Sequence, residues 1–296
     1  MPTLNIYQSM WGMEFNQPDG FQWQLQEKIN RIADSGFYGV SFDFPHHNKN
    51  FIEHAQPLLK QFGLACVFNV FVSNSNDFQD LVDWAKTLDC PPECIGIIGQ
   101  VPPWDVNAIA EQTRDWLSIG NRAGFATYVE AHRNCMTNDL LFTLQLMDKV
   151  PELSMVADLS HVLLNQEWYL PISQEASALI SRVLNRTQVF HGRVGTREQA
   201  QIALAFPQNQ PWFELFKSWW LEGFETWIQQ NTDSEKACAF VCELGPPPYA
   251  ITGPDGFELS DRWQEALLLK QTAESLWQQA IEAVNKNSMK TKEAVL

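Results

Sequence analysis

Positive charge is scarce in this chain. Lys and Arg together number 20 against 35 Asp and Glu, a formal charge of -15 at pH 7. Such a surface repels phosphate backbones and anionic bilayers unless a local basic patch intervenes, so neither nucleic acid nor membrane is an expected partner. No apolar run is long enough to span a bilayer, and the start, Met1-Pro-Thr-Leu-Asn-Ile-Tyr-Gln8, lacks the basic and then apolar regions of a secretory leader. A soluble, cytoplasmic protein is the expectation. The six cysteines form no framework: Cys66, Cys238 and Cys242 sit in apolar runs and read as buried thiols, and Cys90 and Cys94 flank Pro-Pro-Glu with no second pair to complete a zinc knuckle. Linkers, low-complexity tracts and short-period repeats are also missing, so nothing divides the 296 residues into two domains.

What the chain does have is apolar material, 45% of residues with 12% aromatic, enough for a large core. It is distributed in alternation. Leu4 to Trp11, Val40 to Pro45, Leu64 to Val72 and Ile95 to Gly99 are short runs without polar alternation, which suits parallel strands buried on both faces. Between them the apolar residues recur at helical spacing: Leu25, Ile29 and Ile32 in a helix expected to open near Asp19, then Phe51, Ala55, Leu58 and Leu59, then Phe78, Leu81, Val82 and Ala85. The second half keeps the rhythm, giving eight strand-helix units, the number a single closed (β/α)8 TIM barrel needs. The barrel is expected over 1–284, with 285–296 as a polar C-terminal tail that frays. The Trp-rich segment 207–231 stands near the seventh helix, with Phe213, Phe216, Trp220, Phe224 and Trp227 on one helical stripe. Trp212 and Trp219 fall off that stripe and are candidates for a lid or for the contact of a homo-oligomer.

Four of the later runs share a design, hydrophobic and small residues ending in a metal-competent side chain: Phe125 to Glu130, Leu153 to Asp158, Thr187 to His191 and Ala237 to Glu243. Barrel active sites lie at the carboxyl ends of strands. Collected there, Glu130, Asp158, His191 and Glu243 supply three carboxylates and one imidazole, a set suited to one divalent ion: Mn, Mg, Co or Zn. Side chains alternate along a strand, so His132 shares a face with Glu130 and Arg193 with His191. His132 and Arg133 either recognise a carboxylate or phosphate or pair with nearby acids. His46 and His47, just past the second strand, line the mouth or lie in solvent, and Trp11 and Phe44 either form an apolar wall for a sugar face or simply pack.

These segments, Val129-Glu130-Ala-His-Arg133, Ala157-Asp158-Leu-Ser-His161, His191-Gly-Arg-Val-Gly195 and Cys242-Glu243-Leu-Gly245, resemble the xylose isomerase-like TIM barrels, a family of sugar and sugar-phosphate isomerases and epimerases. The resemblance spans nearly the whole chain and is specific mainly from Val129 to Gly245. It implies that Glu130, Asp158, His191 and Glu243 bind one divalent metal ion, that Glu130 and Glu243 also act as acid and base, and that His161 contacts substrate oxygens. Either Arg193 or Arg197 fills the place where epimerases of the family put an arginine. The implied reaction is proton transfer through a metal-stabilised enediolate of a small sugar or polyol derivative, with no organic cofactor. A hydride shift across two metals needs a further Asp and His cluster after the seventh strand, and Gly192-Arg-Val-Gly-Thr-Arg197 offers none. Alternatives are a related lyase or dehydratase acting on a keto-sugar or polyol, and a non-catalytic barrel. An abasic-site endonuclease is disfavoured by the charge and by Asn69, rather than a histidine, ending the third strand.

Overall fold

The apolar runs are strands, and they close on one another. In the computed structural model, which describes residues 2–15, 22–231 and 236–293, β1 (Thr3–Ser9), β2 (Gly39–Phe44), β3 (Ala65–Val72), β4 (Cys94–Gly99), β5 (Ala126–Glu130), β6 (Met155–Ala157), β7 (Thr187–His191) and β8 (Ala237–Cys242) form one closed barrel in chain order. Every neighbouring pair is parallel, including β8 against β1. The strands are joined over the outside by α1 (Leu25–Asp34), α2 (Lys49–Phe62), α3 (Ser75–Ala85), α4 (Val106–Ala123), α5 (Leu140–Lys149), α6 (Leu159–Gln166), α7 (Gln174–Leu184) and α8 (Gln210–Gln230), with α6 and α7 both between β6 and β7. The last helix, α9 (Arg262–Glu293), follows β8. The fold is therefore the single (β/α)8 barrel expected from the alternation.

Local signals set the boundaries. Asn48 caps α2 by accepting from the Phe51 N–H, and Gly63 ends that helix at φ 63°, a left-handed conformation that favours glycine. The first helix starts at Leu25, and Asp19, its expected opening, lies outside the described residues. At the other end α9 carries residues 285–293 of the polar tail as helix, and 294–296 lie outside the described residues. Among the described residues no helix is long and apolar enough to cross a membrane.

Strand alternation sorts the core into two layers. Outward residues such as Phe42, Phe68, Phe190 and Phe240 pack under the helices, whereas Tyr7, Val67, Cys94, Val156, Val189, Ala239 and Val241 form a separate cluster inside the barrel. One inward step further along the chain lie Ser9, Asn69, Gly96, Asp158, His191 and Glu243. The apolar interior layer thus becomes a floor on which polar residues stand. In α8 the aromatic stripe packs inward as expected, and so does Trp219, which is 3% exposed and lies 5.1 Å from the Phe216 ring. Trp219 is a core residue rather than a lid or contact, because the groove between barrel and helix accepts more than one stripe's width of side chains. Trp212 is half-buried at the start of the same helix.

Candidate metal centre

Each of the four proposed ligands occupies the last position of its strand or the next one. Glu130 ends β5, and its carbonyl accepts from Thr137 Oγ1 at 2.5 Å while the same hydroxyl receives the His132 N–H at 3.1 Å. That tie folds the following loop back over the strand end. Asp158 follows β6 and caps α6: its Oδ1 accepts from the backbone N–H of Ser160 at 3.0 Å and from its hydroxyl at 2.5 Å. The cap occupies one carboxylate oxygen and leaves Oδ2 turned to other work. That oxygen is 3.8 Å from His191 Nδ1, 3.7 Å from His161 Nε2 and 3.5 Å from Arg193 Nε. His191 ends β7, with Nδ1 3.9 Å from Glu130 Oε1 and 2.6 Å from Glu243 Oε2. Glu243 follows β8 and also pairs with the Arg193 guanidinium.

All four are buried, between 0% and 5% exposed. Glu130, Asp158 and His191 each offer a ligand atom, all within 4.8 Å of one another. Glu130 Oε2, Asp158 Oδ2 and His191 Nε2 make no hydrogen bond, and Glu243 Oε2 faces His191 Nδ1 at 2.6 Å. Buried polar atoms are normally satisfied and buried charges paired or metal-bound, so this group of unsatisfied donors fits one hard divalent cation. Without it the charges lean on each other. Burial and the neighbouring Glu243 and Asp158 push the Glu130 carboxyl well up against the pull of His191. Burial would raise Asp158 too, but Arg193, His161 and His191 outweigh it and hold that carboxyl well below the usual range. Arg193 and His191 likewise overcome burial at Glu243, held at about 2. His191 is driven well up because Glu243, Glu130 and Asp158 outweigh its burial.

Arg193 is the cation inside this cluster. It is 1% exposed, and its guanidinium carbon lies 5.4 Å from the Trp11 ring and 5.0 Å from the Tyr249 ring. Arg197 is elsewhere: it stacks over Tyr169 at 3.6 Å and pairs with Glu198 at 2.5 Å. His161 is buried beside Asp158, and burial holds its imidazole well down, in the neutral form. His132 packs against it with ring centroids 4.1 Å apart and the rings tilted by 59°, and donates from Nδ1 to the Arg133 carbonyl at 2.6 Å.

A cavity of about 270 Å³ opens above the cluster. Glu130, Glu243, Arg193, His132 and Trp11 line it, so five of the residues expected from sequence meet there, while Asp158 and His191 lie beneath. The rest of its wall, Asp43, His46, Phe71, Ile98 and Tyr249, the sequence reading leaves out or leaves open. Asp43 had a signal: β2 is an apolar run ending in an acid, the same design as the four ligand strands. Burial and Glu243 raise its carboxyl to about 6. Phe71 and Ile98 are inward residues at strand ends, and Tyr249 arrives from the loop after β8, for which spacing gives no sign. A second group, Glu14, His46 and His47, has its potential ligand atoms close together as well. There His47 Nδ1 accepts the Asp43 N–H at 3.0 Å, which leaves the proton on Nε2, 3.4 Å from Glu14 Oε1. A protonated nitrogen cannot ligate, so this group ties two loops together instead.

No protein-family model matches the chain, and no curated protein matches it in sequence. Its structure is similar to a xylose isomerase-like TIM barrel protein from Mycobacterium smegmatis in complex with magnesium, with a TM-score of 0.57, 13% identity and coverage of 92% of this chain and 97% of that one. It is similar also to a D-allulose 3-epimerase from Methylomonas sp., with a TM-score of 0.57, 12% identity and coverage of 95% and 99%. A probable 3-DHS dehydratase from Bacillus anthracis aligns with a TM-score of 0.52, 15% identity and coverage of 93% and 98%. The chain has the xylose isomerase-like TIM-barrel fold.

Proposed function

We propose that this protein is a metal-dependent isomerase or epimerase of a sugar or sugar derivative that moves a proton on and off carbon. The observation that carries the reading is the placement of two glutamates, Glu130 after β5 and Glu243 after β8, on the wall of one cavity, around a buried Asp158 and His191 whose ligand atoms are unsatisfied. Glu130, Asp158, His191 and Glu243 would hold the ion. A divalent cation bound there polarises a carbonyl and the hydroxyl beside it, making the shared carbon acidic. The chain supplies the rest. Glu130 and Glu243 take the proton from one face of that carbon and return it at the other, Glu130 through an Oε2 free of hydrogen bonds. Arg193 holds Glu243 ionised, and Asp158 keeps Arg193 in place. Trp11, Phe71 and Ile98 give the cavity an apolar side that excludes water and suits the C–H face of a sugar ring.

Two measurements test this. Purified protein should carry close to one divalent ion per chain, and Asp158→Asn or His191→Ala should lose it; full occupancy in both variants removes the ligand assignment. With a ketose panel in D₂O, the product should have the substrate's mass plus deuterium at the reacting carbon. A product lighter by one water would move the protein to the dehydratases, and complete retention of substrate hydrogen would point to a hydride shift.

A further inference from the structure

We infer that Asp43 selects the substrate: its carboxylate accepts a hydrogen bond from a hydroxyl of a neutral polyhydroxylated compound and turns away an anionic one. This rests on the proposed isomerase or epimerase reading and adds the charge class of its substrate. Asp43 ends the inward row of β2, lines the cavity and is 8% exposed. Its backbone is clamped on both sides, since its N–H donates to His47 Nδ1 at 3.0 Å and its carbonyl accepts from the His47 N–H at 2.7 Å. Its side chain is aimed by Asn69, the residue paired with it on β3, whose Nδ2 donates to Oδ1 at 3.0 Å. Oδ2 is buried and has no hydrogen-bond partner.

A buried carboxylate oxygen with nothing to accept is unfavourable, and a fold that fixes the residue at three points while leaving that oxygen bare reserves it for a donor from outside. The arginines at the cavity are already committed: Arg193 pairs with Glu243 and Asp158, and Arg133 donates to the Tyr249 hydroxyl at 2.9 Å. With Glu130 and Glu243 spent on the ion, Asp43 is the carboxylate of the wall left without a cation, and no lysine is among its residues. A sugar hydroxyl donates to such a wall, whereas a phosphate or carboxylate meets like charge.

The test compares D-allulose, D-fructose and their 6-phosphates with metal-loaded wild type, Asp43→Asn and Asn69→Ala at pH 8. Wild type should exchange deuterium into a free ketose at least 10-fold faster than into its 6-phosphate. Asp43→Asn, the same shape without the charge, should lose roughly 10- to 150-fold in kcat/KM on the free sugar, the range for a hydrogen bond to a charged group, mainly through KM. It should also narrow the preference over the phosphate, with bound metal and melting temperature unchanged. Asn69→Ala, which frees the carboxylate to turn, should raise KM with kcat held. Unchanged kinetics and unchanged preference in Asp43→Asn overturn the inference while leaving the reaction standing, and so does loss of metal, which would make Asp43 a ligand. A wild type that prefers the phosphates overturns it as well. Absence of exchange in every sugar removes the parent reading and this one with it.

Discussion

Replacing Arg193 with methionine should separate the two cations that the centre is built to hold. In the protein as it stands, the guanidinium neutralises Glu243 and lies 3.5 Å from Asp158 Oδ2, both of them proposed metal ligands. Methionine fills a similar volume without charge, so the effect is electrostatic and leaves little cavity. Removing one partner of a buried ion pair costs about 3–5 kcal/mol, because the other charge is left without compensation. For 296 residues the unfolding entropy at the midpoint is about 0.6 kcal/mol per degree, so metal-free Arg193→Met should melt roughly 5–8 °C below wild type. Metal changes the comparison. A divalent ion at 100 times its Kd stabilises the native state by about 2.7 kcal/mol, a rise of roughly 4 °C in wild type. In the variant the same ion also neutralises the carboxylates that Arg193 left, so its rise should be larger than in wild type. The assay is thermal unfolding by circular dichroism in EDTA and at graded Mn²⁺ or Mg²⁺. A metal-free variant melting with wild type, or equal metal-induced rises in the two proteins, would refute the reasoning.

Three other outcomes follow from the same side chains. Glu130→Gln or Glu243→Gln, compared at equal metal content, should each lower kcat by on the order of 10²–10⁴, and a fully active metal-loaded variant would exclude that glutamate as acid or base. Because Glu130 and His191 are both held well above their ordinary values, each binds its proton more tightly in the metal-free centre, and a cation must displace it. Adding Mn²⁺ in weak buffer should therefore release protons, and its affinity should fall as pH falls; a pH-independent affinity would count against these shifts. Glu265 on α9 is 5% exposed, and burial raises its carboxyl from 4.5 to about 7. Between those values the native chain keeps a proton that the unfolded chain has lost, so stability should decline as pH rises from 4.5 to about 7. Glu265→Gln should flatten that decline and raise stability at pH 8 by up to about 3 kcal/mol, read from denaturant unfolding at several pH values. An unchanged slope would show that burial is not the cause.

The barrel was legible because its signals are local and repeated. Eight apolar runs separated by helical periodicity leave few arrangements other than a closed parallel sheet, and the structure pairs every strand with its sequence neighbour. That Glu130, Asp158, His191 and Glu243 converge was legible for a related reason: a charged or imidazole side chain closing a run that is otherwise apolar has to face something, and in a barrel the strand ends face one another. What the sequence could not fix was direction beyond the strands. Arg193 and Arg197 are four residues apart after β7, and nothing in the spacing says that the first turns inward to Glu243 while the second leaves to stack on Tyr169. Alternation along the strand favours Arg193, which keeps the inward parity of His191, but it holds only while the chain stays extended.

The same limit explains the residues that went unnoticed on the cavity wall. Tyr249 comes from an irregular stretch and reaches the cavity by packing its ring edge-on to Trp11, with centroids 5.1 Å apart, a contact between residues more than 200 positions apart in sequence. Asp43 is the opposite case, since β2 carries the run-then-acid design in plain view. There the neighbouring Pro45-His46-His47 offers more conspicuous chemistry, and only the structure shows His47 spent on the Asp43 backbone and on Glu14. A strand-end acid in this fold is thus better judged by what its neighbours are already committed to than by how reactive they look. By that measure Asp43, with one oxygen held by Asn69 and the other unsatisfied, belongs with Glu130 and Glu243 on the working wall of the cavity.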